Sequence, residues 1–480
     1  LTPWNRYHES SSIAVEALPR SSWERSHADA GAGVPKGAAT TPPDDEGVKV
    51  RRITRKTWVA VAGATGVALL ATACGGGSSD DDAAGDDGGK VTLTISTFNQ
   101  FGYEELLEQY QDENPNITIE HNKFGKSDDA KEQFQTALGA GSGLADVVGV
   151  EVDWMPQIIQ YSDQFVDLTS DDVEGRWNQW TLDQATSQDG ALLGYPTDIG
   201  PEAIAYRADL FAAAGLPTDR EAVAELFGGE DATWDDFFAV GDQFMAAGTG
   251  PGFFDSADAI AQGMINQIEA PFEDPETGEI TALDNPEIRD MYDTILSHAD
   301  QSAGLKQWEE DWTNAFQSNG FAVALAPAWF LGNIEGNAAG VEGWDIANVF
   351  PGGGGNWGGS FLTVPTMSEH PEEAKALADW LTAPEQQLKA FGVNGNFPSQ
   401  IEAQESEELQ GMTREFFNDA PTGAIYTDRS AAISTQPFKG ENYFTIRTGL
   451  SDAFNRVDVD KSMSPEESWK GFEEAVAAIG

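Results

Sequence analysis

Two tryptophans stand where an indole could meet a ligand. Trp329 closes Ala326-Pro327-Ala328-Trp329, just past a predicted strand end. Trp357 lies in residues 351–360, which read Pro-Gly-Gly-Gly-Gly-Asn-Trp-Gly-Gly-Ser and give its ring little local packing. The chain has 14 tryptophans, and several of them sit beside Gly or Pro rather than inside apolar runs. Sugar rings present an apolar C–H face and a rim of hydroxyls. Flat aromatics suit the face; Asp, Glu, Asn and backbone groups suit the rim. A place in the core or at a lobe interface is the competing reading of the same residues.

Other chemistries fit less well. Glycines 352–355 lack the Gly-Lys-Ser/Thr ending of a phosphate loop. Asp458-Val459-Asp460-Lys461-Ser462 begins like a calcium loop, but Met463 stands where glycine is needed. No Gly-x-Ser-x-Gly elbow is present. The histidines are His8, His27, His121, His298 and His370, and no two share metal-ligand spacing. Neither a metal nor another cofactor is therefore expected. Carboxylate pairs for glycoside hydrolysis remain open, because 80 acidic residues supply many accidental pairs.

Those acids outnumber 27 bases and give a formal net charge of −53. Nucleic acid and anionic membrane surfaces are poor partners for such a chain. A solvated acidic surface accounts for the charge, and adaptation to high salt is the sharper alternative. A length of 480 residues exceeds one ordinary core and points to two lobes or domains.

The front of the chain reads as processing signal. Lys49, Arg51, Arg52, Arg55 and Lys56 form a basic cluster, and residues 57–73 follow as an uncharged, mostly apolar run. It ends at Leu69-Leu70-Ala71-Thr72-Ala73-Cys74-Gly75. This order resembles a bacterial lipoprotein signal, which implies cleavage before Cys74 and lipidation of that residue. Cys74 is the single cysteine, so no intrachain disulfide is possible. Residues 1–48 precede the signal as a mis-assigned or disordered extension, with Val48 or Val50 as the expected translation start. The signal spans 49–73. Residues 74–90 form a tether, since 75–89 contain only Gly, Ser, Ala and Asp and cannot bury apolar surface.

The elements that follow read as strand, helix, strand. Residues 91–98 are β-branched and alternating. Tyr103, Leu106, Leu107 and Tyr110 share one helix face. Ile117-Thr118-Ile119 is a second strand, residues 128–138 a helix, and Asp146-Val147-Val148-Gly149-Val150 a strand apolar enough for burial on both faces. This grammar predicts βαβ units and a mainly parallel sheet. Further on, Thr233 is a predicted N-cap, residues 321–325 and 361–364 are strands, and Pro371 opens a helix with Ala374, Leu377, Ala378 and Leu381 on one face. Trp469, Phe472, Val476 and Ile479 stripe a closing helix.

Several separated stretches carry a resemblance. They are residues 97–103 (Thr-Phe-Asn-Gln-Phe-Gly-Tyr), 197–201 (Thr-Asp-Ile-Gly-Pro), 206–211, 327–329, 356–365 and 380–387. From about Val91 to Gly480 the chain resembles the extracellular solute-binding proteins of carbohydrate ABC importers, family 1. Within them it is similar to actinobacterial cellobiose and cello-oligosaccharide binders. The resemblance implies an α/β, two-lobed, periplasmic-binding-protein-like fold with hinge strands and an interlobe cleft. Lobe one would be 91–197 plus 350–394, and lobe two 198–349 plus 395–480. Crossovers would fall near 195–199, 344–350 and 394–399. Trp329 would stack on the sugar from lobe two, with Trp357, Gly359 and Ser360 approaching from lobe one. Asn99, Gln100, Glu151 and Asp198 would meet hydroxyls, because open α/β sheets bind ligands at strand C-terminal ends. Trp154 and Trp312 are further candidates, and Trp380 is expected in the core. The implied protein is a monomer on the outer face of the cytoplasmic membrane, held through Cys74. It binds an oligosaccharide, closes, and hands it to a membrane permease without breaking a bond. A surface glycosidase, a same-fold binder of another solute, and a structural envelope lipoprotein are the rival readings.

Overall fold

The structure is a computed structural model that describes residues 89–479. The expectations placed on 1–48, on the signal, on Cys74 and on nearly all of the tether lie outside the described residues.

The first lobe is built as the alternation predicts. Strand β1 (Val91–Phe98) buries Leu93 and Ile95 and lies parallel to β2 (Ile117–Phe124) and β3 (Val147–Glu151). Between them run α1 (Glu104–Glu113), with Leu106, Leu107 and Tyr110 inward, and α2 (Ser127–Ala140). Asp128 and Asp129 occupy the first turn of α2, where the helix dipole favours acids, and Gly141 ends it at φ 64. Val147, Val148 and Val150 are buried, each contributing about 2 kcal/mol of apolar transfer. A short helix, α3 (Met155–Ile159), follows β3.

Strand β4 (Gly194–Arg207) then carries the chain out of this lobe. Its 14 residues are all buried. Tyr195 packs in the first lobe's core, whereas Ile199 and Ile204 pack in the two clusters of the second. The register of β4 against β8 (Asn356–Thr363) shifts between Pro196 and Asp198 and again between Ile199 and Pro201. Proline donates no ladder hydrogen bond, so the irregularities fall where Pro196 and Pro201 interrupt the pairing.

The second lobe adds β5 (Gly252–Phe254), β6 (Phe321–Pro327) and β7 (Trp344–Ala347). With β9 (Phe397–Pro398), which pairs with β4 at Asp198 and Ile199, the strands join in one nine-stranded sheet of order β2-β1-β3-β8-β4-β6-β5. Thr233 caps the helix Trp234–Ala246 in a full capping box with Asp236. Helix Pro371–Leu381 buries Ala374, Leu377, Ala378 and Leu381, and Trp380 packs partly against the same core. The closing helix Pro465–Ala477 buries Trp469, Phe472 and Val476.

Two expectations are corrected. The sheet is mixed rather than mainly parallel. The β1–β2, β1–β3 and β5–β6 pairings are parallel, but β3–β8 and every pairing of β4 are antiparallel. An apolar run announces a buried strand but not its direction, and the strands that link the lobes run against the βαβ grammar. Helix Pro384–Asn394, placed with lobe one, buries Leu388 and Phe391 in a cluster of the second lobe.

Candidate functional site

The ends of β1 and β3, the middle of β4 and β8, and the turn after β6 converge on one cleft. Asn99, Gln100, Glu151, Asp198, Trp329, Gly359 and Ser360 all line it. Each arrives for a local reason. Asn99 follows β1 with φ 47, a left-handed conformation that Asn tolerates better than most residues. Gln100 is exposed, and its side-chain oxygen accepts from Lys123 Nζ at 2.6 Å. Glu151 ends β3 opposite Ser360 of β8 and accepts from Ser127 Oγ.

Asp198 is the most enclosed of the polar groups. Its Oδ1 accepts from Thr197 Oγ1 at 2.7 Å and from the Ser360 amide at 3.1 Å, and its Oδ2 faces Asn396 Nδ2 at 3.5 Å. Burial raises its pKa to about 6, against the lowering pull of those donors. Glu151 rises to about 7, first by burial and then by the nearby charge of Asp153. Ser127 and Lys439 oppose that rise.

Trp329 sits in the single turn Ala328–Phe330 directly after β6. Its Nε1 donates to the Trp357 carbonyl at 2.7 Å. Its ring stacks on Trp308 at 6.2 Å and meets Trp357 edge-on at 6.0 Å. One indole face is thus supported from behind, and its N–H is tied to β8. Gly358, at φ 84, allows this approach, since a Cβ there would lie 3.0 Å from Trp329 Nε1. Gly359, at φ 124, brings the backbone of β8 against Asp198.

Three tryptophans stand elsewhere. Trp357 touches Trp329 but is not in the cleft wall, and its ring packs partly against the second lobe's core, not lobe one's. Trp312 is buried in the second lobe, its Nε1 donating to Asp255 Oδ2 at 2.9 Å. Trp154 is buried in the first lobe against Phe98 and Phe134. Neither Trp154 nor Trp312 reaches the cleft, because each occupies the inward face of a short helical turn.

The sequence reading missed Phe98, Phe101, Asn333 and Asn396, which also line the cleft, and Trp308 behind Trp329. Asn333 had a usable signal: it lies four residues after Trp329, on the same helical side. Asn396 belongs to a predicted crossover. Trp308, at φ 70 in a loop, carried no periodic signal.

The cleft also has a closed rim. Lys439 of lobe two pairs with Asp153 of lobe one, with only 8% and 17% of the two side chains exposed. Lys131 Nζ of α2 sits 3.0 Å from the centroid of the Phe444 ring. Burial would lower the Lys439 ammonium, but Asp153 and Tyr443 hold it above its ordinary value. The cavity between the walls is ≈ 40 Å³.

Residues 105–417 match the family described as bacterial extracellular solute-binding protein. The chain belongs to that family. A crystal structure of an extracellular solute-binding protein family 1 is 41% identical, with a TM-score of 0.71, covering 81% of this chain and 99% of its own. The fold also matches, at 19% identity and a TM-score of 0.69, the ABC-transporter-associated binding protein of B. animalis subsp. lactis Bl-04 in complex with β-1,6-galactobiose. That match covers 81% of this chain and 97% of the other. Maltose-bound MalE3 of T. maritima matches at 17% identity and a TM-score of 0.63, over 81% and 100% of the two chains. No curated protein sequence matches the chain. In this solute-binding protein, β4, β8 and β9 are the strands on which the lobes meet.

Proposed function

We propose that this solute-binding protein captures an oligosaccharide, cellobiose or a cello-oligosaccharide first among them, and delivers it to the permease of an ABC importer. One observation carries the reading: a supported indole, Trp329, shares a cleft with the carboxylates of Glu151 and Asp198 and the amides of Asn99, Asn333 and Asn396. An apolar plate beside a neutral or acidic hydrogen-bonding fringe suits the face and rim of a sugar. The structural neighbours that hold β-1,6-galactobiose and maltose support a saccharide as the class of solute. Capture proceeds by population shift, with the solute favouring the form in which both lobes touch it. Cys74 would carry the lipid that keeps the domain at the outer face of the membrane, where it works as a monomer.

A thermal-shift panel of glucose, cellobiose, longer cello-oligosaccharides, xylobiose, maltose and chitobiose tests this. A solute that binds only the folded chain raises its melting temperature. Cellobiose or its longer relatives should give the largest rise, with no glucose released on incubation. If no saccharide moves the transition, the reading fails; if glucose appears catalytically, the protein is a glycosidase.

A further inference from the structure

We infer that the protein has a second saccharide site, apart from the cleft, in the hollow where α2 and α3 of lobe one face the start of helix Tyr443–Asp458 in lobe two. This hollow of ≈ 540 Å³ shares no lining residue with the cleft. Its size falls within the ordinary range for small-molecule sites.

Its chemistry is selective. Phe134, Trp154 and Tyr161 supply aromatic surface, and five carboxamides supply paired donors and acceptors. No lining side chain is basic, and Glu441 is the only acid. An anion finds no counter-charge there, and a lipid chain would strand the amides. A neutral ring with one apolar face and several hydroxyls satisfies both kinds of lining.

Two unmet features point the same way. Trp154 Nε1 is buried with no hydrogen-bond partner, a costly state for an indole donor. That nitrogen has no free surface, so a saccharide hydroxyl becomes its acceptor only as the indole shifts toward the hollow it lines. Tyr161 is 48% exposed, one of the few large apolar side chains left so open among the described residues. A ring stacked on it would bury that face while leaving its hydroxyl wet. Gln157 sits between them in sequence and accepts from Gln135 at 3.0 Å across α2 and α3. Because both lobes contribute lining, a sugar held here touches both in the closed form.

The choice of probe rests on the sugar-binding reading of the cleft, so the test separates the two sites. Cellobiose, maltose and β-1,6-galactobiose are titrated into the full chain by calorimetry and equilibrium dialysis. At least one probe should fill two sites per chain. Tyr161→Ala combined with Gln157→Ala should abolish one step and leave the other intact, with an unchanged melting temperature because Tyr161 is exposed. Trp329→Ala should weaken the opposite step about 30-fold and spare this one. One site per chain at saturation, lost in Trp329→Ala, overturns this inference alone. A second step that survives the double substitution also overturns it. A single step lost only in the double variant overturns both readings as stated, since the chain then has one site and it is the hollow rather than the cleft. No binding by any probe overturns both readings.

Discussion

Trp329 is held in place by its protein neighbours. Trp308 backs its ring, and its Nε1 is committed to the Trp357 carbonyl, so little side-chain entropy remains to be lost on stacking. Preorganised aromatics of this kind dominate binding energy. Trp329→Ala should therefore cost about 2 kcal/mol, or about 30-fold in affinity, by calorimetry with the saccharide that gives the largest thermal shift. Unchanged affinity would remove its stacking role. Trp329 and Trp312 are both candidates under the resemblance, yet only Trp329 meets the cleft. The difference lies in what takes the indole N–H: a backbone carbonyl of β8 for Trp329, and the buried Asp255 carboxylate for Trp312. A partner 57 residues away in sequence is invisible to spacing. Glu202 went unnoticed for the same reason. It is fully buried, with Asn266 donating to one carboxylate oxygen and the other unpartnered. Burial raises its pKa to about 8. An unfolded glutamate titrates near ~4.3, so between the two values the folded chain holds a proton that the unfolded chain has released. The resulting stability is complete below the unfolded value and is lost as pH rises toward about 8. Glu202→Gln keeps an acceptor for Asn266 and cannot ionise. Its melting temperature relative to wild type should rise between about pH 5 and about pH 9. A constant difference across that range would refute the buried proton.

At the scale of elements, β4 fixes the site, since it pairs with four other strands and passes through both lobes' cores. Gly200 lies close against β8. A Cβ there would collide with the Trp357 carbonyl and sit 3.1 Å from Trp329 Nε1. Both obstacles are held rigidly by the sheet and the indole bond, so neither yields cheaply. Gly200→Ala should destabilise the fold by about 2 kcal/mol or more in urea unfolding, and weaken saccharide binding through Trp329. Equal stability would mean that β8 moves freely at Trp357. The strands themselves were legible in the sequence, because alternation and apolar runs follow directly from the pleat and from burial. Thr233, Pro371 and the Trp469 stripe were legible too, since caps and helical faces are local. Strand direction, the bulges of β4 and the allegiance of helix Pro384–Asn394 were not. They depend on which remote strand or helix supplies the partner, and a short apolar run states only that one exists.

For the whole molecule, the decisive quantity is the balance between separated and closed lobes. A cavity of ≈ 40 Å³ cannot admit a disaccharide, which needs a site of roughly 300 Å³ or more. On the proposed saccharide reading, the lobes must therefore part before the solute enters. Lys439–Asp153 and Lys131–Phe444 bridge them in this closed form. Breaking the first bridge shifts the balance toward the separated form, and the apparent affinity falls by the same factor as the closed fraction. Lys439→Gln should enlarge the radius of gyration of the ligand-free chain in X-ray scattering. It should also weaken saccharide binding while leaving the closed, ligand-saturated shape unchanged. Loss of the Lys439 charge also removes a cation that stabilises ionised Glu151, so that carboxyl should protonate at higher pH than in the wild type. Because the pair is largely buried, added salt should screen it little, even in a molecule with a net charge of −53. A Lys439→Gln effect that vanishes at high salt would assign it to the general acidic surface. An effect that persists assigns it to the bridge.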